Sequence, residues 1–184
     1  MRTRENSLIS RLAVLACALL LAATAKAEDT RLNVGFASAK PTDQIDIPIT
    51  FSGPDGATAG TLIAHISYPS NVLTFDVADR ALAAELADAE VKATSKPDAK
   101  DKDLGVLELN ISGKSPIKPG IVAYIKFKVS KDAKKGELKL DLLDSSAKGA
   151  DGSAVQLAKG DSGSVTMFAM DEEIPVVGCF FFTH

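Results

Sequence analysis

Apolar and polar residues alternate with a period of two along most of this chain. The alternating runs are Leu32–Phe36, Ile45–Phe51, Leu62–Tyr68, Val72–Val77, Leu104–Ile111, Val122–Val129, Leu138–Leu142, Ala154–Leu157 and Ser164–Phe168. Successive side chains of a strand point to opposite faces of a sheet, so this period predicts strands with one buried and one wet side. Turn-forming clusters stand between the runs, at Lys40–Asp43, Ser52–Gly56, Ser115–Gly120 and Lys148–Gly152. Many short strands divided by regular turns predict an all-β fold, a two-sheet sandwich.

The stretch Ser67–Val77 sets a Pro69-Ser70-Asn71 corner between two of these runs. Alternation there puts Ala64, Ile66 and Tyr68 on a core face and Ile63, His65 and Ser67 on the other. Tyr68, Val72, Leu73 and Phe75, with Ile125 and Phe127, are expected in the inter-sheet core or at its border. Tyr124 is placed with them. One segment breaks the period: Asp79–Glu90 is rich in Ala, Leu and Glu, which predicts a short surface helix near 79–88 with Asp79 as N-cap. Glu90–Thr94 resumes a strand pattern, and Ser95–Asp103, with alternating charge signs, is expected as a solvated connector.

The two ends differ from the middle. Met1–Arg11 carries three arginines, Leu12–Ala25 is apolar but too short to span a bilayer, and Ala25-Lys26-Ala27 is a small-x-small cleavage pattern. Residues 1–27 are therefore expected to be a secretory signal peptide, cut before Glu28. Two other readings stand beside it: a lipoprotein leader acylated at Cys17, and a retained anchor. Residues 28–169 form the expected domain, and 170–184 a short apolar tail containing Cys179. That tail is too short to cross a membrane. The protein is expected to be secreted, periplasmic or at the cell surface, and not membrane-spanning.

Removing residues 1–27 takes four of the 21 basic and one of the 24 acidic residues, which leaves a 157-residue chain at −6. Such a charge excludes a nucleic-acid partner, which would need clustered Lys and Arg. Lys131, Lys134 and Lys135 do cluster, around Asp132, and are expected in a solvated turn. One domain of this length buries about 68–70% of the surface of its unfolded chain. Cys179 is then the only cysteine, so neither an intrachain disulfide nor a zinc-spaced Cys/His set can form. Only His65 and His184 remain, too few for His-based nucleophilic catalysis or a multi-histidine metal site. Glu85, Glu90, Asp76 and Asp79 could supply a carboxylate pair, but helix faces and turns of any soluble domain carry such residues. No enzyme, cofactor or metal site is expected. Asp141, Asp144 and Asp151 lack the spacing of a calcium loop and are expected in turns.

The order of several segments resembles the cohesin domain. Val34–Gly53 resembles its opening, a strand, a Lys-Pro-Gly-Asp-like turn and a second strand. Gly60–Ala78 is similar to its third strand with the tyrosine and the Pro-Asn-Val-Leu corner, Pro116–Leu142 to a late segment with Lys-Phe-Lys-Val, and Gly160–Met167 to its closing strand. The resemblance covers residues 32–168 and implies a nine-stranded jelly roll that binds rather than catalyses, with one sheet face receiving a calcium-loaded dockerin from another chain. Where the cohesin strand often offers Asn and Asp to a dockerin, this chain has Thr61 and Ile63. Thr61, Ile63, His65 and Ser67 are the candidate partner-binding residues. The expected function is a non-catalytic exported module for protein–protein adhesion, its partner an exported or surface protein of dockerin-bearing or other kind. Polysaccharide binding is the second reading, weakened by the lack of Trp.

Overall fold

The computed structural model describes residues 29–175. The expected leader with Cys17, and the residues Cys179 and His184 of the tail, lie outside them. The elements are β1 (Arg31–Val34), β2 (Phe36–Ala39), β3 (Gln44–Ser52), β4 (Ala59–Pro69), β5 (Leu73–Arg80), α1 (Leu82–Leu86), β6 (Glu90–Pro97), β7 (Leu104–Ile117), β8 (Gly120–Val129), β9 (Gly136–Lys148), β10 (Ala154–Val155) and β11 (Gly163–Met167). A small sheet runs β1-β3-β8-β5, and a large one runs β2-β11-β9-β4-β7-β6 with β10 on β9. The expected two-sheet sandwich is the observed one, with β10 only two residues long and β1 and β2 halves of a single run.

That run is divided at Gly35 for a physical reason. The Gly35 N–H donates to the Pro48 carbonyl (2.8 Å), and proline has no N–H to return. The ladder therefore stops there, and the chain swings from the small sheet to the large one. A Cβ at position 35 would lie 2.5 Å from Pro48 Cγ, so the crossing requires glycine. At the opposite lateral side the sheets are linked by the Pro69–Val72 corner, where Val72 N–H donates to the Pro69 carbonyl (3.2 Å).

The core follows the alternation. In β3 the residues Ile45, Ile47, Ile49 and Phe51 are buried, and in β4 so are Leu62, Ala64, Ile66 and Tyr68. Leu73, Ile125 and Phe127 are buried as expected, while Val72 and Phe75 are partly covered at the border. Phe127 lies at the centre of an aromatic cluster, 4.9 Å from Tyr68 and 6.2 Å from Phe75 between ring centroids. The Tyr68 hydroxyl, which could not be buried unpartnered, reaches Ser95 Oγ at 2.5 Å.

Several local expectations are corrected. Helix α1 covers only Leu82–Leu86 and its N-cap is Ala81, with no side-chain capping bond. Asp79 instead ends up in β5, where it takes Lys126 Nζ at 2.8 Å, because strand pairing with β8 continues through Arg80. The strand from Glu90 runs on to Pro97, which shortens the connector, and β7 extends through Ser115–Ile117. Asp141 and Asp144 lie in β9 and not in turns; Asp151 is in a turn, accepting from the Ser153 N–H (3.0 Å). Lys131, Lys134 and Lys135 are exposed around the β8–β9 connection as expected.

Candidate functional site

β4 lies inside the large sheet, hydrogen-bonded to β7 on one side and β9 on the other. Its outward residues therefore stand in the middle of a broad face. Thr61 is flanked by Ser112 and Lys148, Ile63 by Asn110 and Ser146, His65 by Glu108 and Asp144, and Ser67 by Val106 and Asp141. One row further out, β6 adds Lys92 beside Asn110 and Thr94 beside Glu108. These four residues line a shallow depression of about 220 Å³.

The pattern predicted which of the four candidates share this side, and the structure sets their access. Thr61, Ile63 and His65 are half-buried, while Ser67 is only 7% exposed and offers little to a partner. The cross-strand neighbours of Ile63, Asn110 and Ser146, are both polar. His65 Nδ1 lies 2.6 Å from Asp144 Oδ1. β9 carries a bulge at this point, since His65 pairs with Asp144 and the next residue, Ile66, with Leu142. The extra residue, Leu143, lets Asp144 and Asp141 both face outward although they are three apart, which a regular strand forbids. Period-two reasoning could not have found this pair of acids.

The outer face of the small sheet is built differently. Lys126 pairs with Asp79 (2.8 Å), and Lys128 with Asp76 (3.1 Å), to which Gln44 also donates (3.2 Å). The Lys126 ammonium is held above its ordinary pKa, chiefly by its hydrogen bond to Asp79 and the charge of that carboxylate, with Asp46 and Asp76 adding to it. Tyr124 is half-buried on this outer side, between Pro48 and Asp79, and not in the core. The signal was present in the chain, because Tyr124 shares its parity with Lys126 and Lys128.

Beyond the two faces, Asp88 sits among cations at the mouth of a cleft between the β5 and β6 edges. Lys114 lies 2.7 Å away and Arg80 3.8 Å, and Lys114, by hydrogen bond and charge, is the main cause of a lowered Asp88 pKa. Among the described residues no three His, Cys, Asp or Glu side chains are grouped to hold a metal ion. No described helix is long and apolar enough to cross a membrane.

The family profile of the cohesin domain matches residues 30–167. No curated protein shows significant sequence similarity to the chain. Among solved structures, the cohesin of a type I cohesin–dockerin complex from Clostridium thermocellum superposes with a TM-score of 0.61 at 17% identity, covering 76% of this chain and 99% of that one. A cohesin from Clostridium acetobutylicum gives 0.60 at 22% identity, covering 77% and 92%. A non-cellulosomal cohesin from the archaeon Archaeoglobus fulgidus gives 0.58 at 18% identity, covering 78% and 94%.

Proposed function

The chain belongs to the cohesin family, and from that premise we propose that it is a non-catalytic exported module that binds another protein through the face formed by β9, β4, β7 and β6. The partner class that fits is an exported or surface protein bearing a dockerin, as in the Clostridium thermocellum complex. The observation that carries this reading is Ile63, a half-buried apolar side chain at the middle of a wide, shallow, polar face. A flat patch with an apolar centre and hydrogen-bonding groups around it suits a protein surface. Thr61 and His65 continue the patch along β4, and the His65–Asp144 pair gives it one fixed polar edge.

Export rests on the Ala25-Lys26-Ala27 pattern, with the mature chain beginning at Glu28. N-terminal sequencing of the protein from the producing cell checks this, and a chain starting at Cys17 or retaining Met1 would refute it. Binding is tested by titrating the purified protein against dockerin domains encoded in the same genome, and by capture from its secreted and envelope fractions. Ile63→Asp should weaken the interaction while leaving the fold intact, because a carboxylate at an interface centre is costly without a counter-charge. The second reading is a polysaccharide, and Tyr124 on the small-sheet face is the observation on its side. Retention on an insoluble polysaccharide, abolished by Tyr124→Ala and with no protein captured, would replace adhesion by sugar binding.

A further inference from the structure

Between α1 and the β7–β8 turn lies an open apolar groove of about 460 Å³, lined by Leu82, Leu86, Pro116, Pro119 and Ile121. It exists because α1 packs with its small side. Ala83 and Ala84 are buried, and a Cβ at Gly120 would lie only 3.2 Å from Ala83 Cβ, so the helix sits close on β8 and its leucines turn outward. Leu82 is 67% exposed, Leu86 79% and Ile121 37%. Lys118 is the one charged residue of the lining. A contiguous exposed apolar patch of this kind marks a contact surface.

The groove occupies one pole of the sandwich, where β3 ends and β8 begins, Phe51 opposite Gly120. The last described residues occupy the other pole. There the Phe168 N–H donates to the Ala39 carbonyl (2.8 Å), Lys40 Nζ donates to the Met170 carbonyl (3.2 Å), and Lys135 pairs with Glu172. After Pro175 the chain continues as Val176-Val177-Gly178-Cys179-Phe180-Phe181-Phe182, seven residues without a charge.

We propose that Val176–Phe182 of one copy docks in the α1/β7–β8 groove of a second copy, joining the molecules head to tail. The groove is apolar but for Lys118 and the segment has no charge, on an otherwise charged domain, and distance separates the groove from the end of the described chain within one molecule. β8, which runs from pole to pole, has ten residues, about 30 Å at strand rise, and β11 and β7 stand three strand spacings apart, roughly 14 Å more sideways. Fully stretched from Glu172, the chain reaches at most about 29 Å at Phe180 and about 36 Å at Phe182, against a straight separation of roughly 33 Å, so only the last residue could arrive and no chain would be left to lie along the groove. The segment therefore cannot seat its phenylalanines in its own groove, whereas a neighbouring copy can present the groove directly. Donor and acceptor lie at opposite poles, so the contact is heterologous and propagates instead of closing a pair.

The test is light scattering on the size-separated protein, expressed with its own leader and kept in reducing buffer so that a Cys179 disulfide cannot join copies. The expected result is a series of masses that grows with concentration. Deleting residues 176–184 should give monomer, and so should Leu86→Asp, whose side chain is exposed enough to leave the thermal midpoint unmoved; Leu82→Glu serves as the second groove variant. Mixing the tail-deleted protein with Leu86→Asp should restore a two-copy species and nothing larger, because only one groove and one tail remain functional. A wild-type protein that is monomeric at every concentration overturns the proposal, which includes the case of a tail folded onto its own chain. Oligomers that survive either the deletion or both groove variants overturn it as well.

Discussion

The two outer faces of the sandwich rest on the same core and are finished in opposite ways. On the small sheet, Lys126 and Lys128 are each matched by a carboxylate, Gln44 joins Asp76, and Tyr124 is half-covered beside Pro48. On the large sheet the centre of β4 presents Ile63 between Asn110 and Ser146, with one His–Asp pair beside it. Exposed ion pairs contribute little to stability, typically about 0–1 kcal/mol. Their consequence on the small sheet is that its charges already have partners, so a protein docking there would have to break them. The large face has one such pair, His65–Asp144, beside an apolar centre at Ile63 with uncharged neighbours, which is why that face and not the other is the proposed site.

The largest effect should come from removing what both faces share. Phe127→Ala empties the centre of the aromatic cluster and should cost about 3–5 kcal/mol, read as a lowered denaturant midpoint with binding and fold lost together. An unchanged midpoint would show that the faces do not rest on this cluster. Separating the faces comes next. Ile63→Asp should lower affinity for the protein partner at least about tenfold, the scale of a central contact residue, while Lys128→Ala on the other sheet leaves it unchanged. Equal losses from both would erase the distinction between them.

A smaller effect should arise at the turn that leads into β3. Thr42 in Lys40–Asp43 has φ 75°, a left-handed conformation that is costly for a β-branched residue and natural to glycine. Thr42→Gly should raise stability by about 1 kcal/mol, measurable by urea titration, with binding unaffected because the turn belongs to neither face. The smallest effect concerns the small-sheet pairs themselves. The Lys126 pKa is raised in the folded protein, so its pairing stabilises in full below the ordinary value of 10.5 and is lost as pH rises through the raised one. The gap in melting temperature between wild type and Lys126→Met should therefore close above that pH. Asp88, lowered below 3.8, has the opposite sign: its pairing stabilises above that value and fades as pH falls through the lowered one, so Asp88→Asn should converge with wild type in acid.

Much of this was legible in the chain because strand periodicity is a local property. Ile45, Ile47 and Phe51, or Ala64, Ile66 and Tyr68, reveal their buried side through spacing alone, and the turn clusters divide the runs. The order of those segments was enough to suggest the family. Tyr124 was misplaced although its parity with Lys126 and Lys128 was readable. Other features were not in the local pattern. Asp79 has the chemistry of a helix cap, and only the pairing of β5 with β8 keeps it in a strand beside Lys126. The outward turn of Leu82 and Leu86 depends on how closely α1 can approach Gly120.

The chain by itself thus determined which residues form strands, which side of each is apolar, and that the strands make a two-sheet sandwich, because each depends on neighbours in sequence and the two-residue repeat. Only the tertiary structure decided that β4 lies between β7 and β9, which makes Ile63 the centre of a face, that the bulge at Leu143 turns Asp144 toward His65, and that the α1 groove and the end of β11 lie at opposite poles. Those are matters of register and strand order, set by packing between segments distant in sequence, on which alternation carries no information.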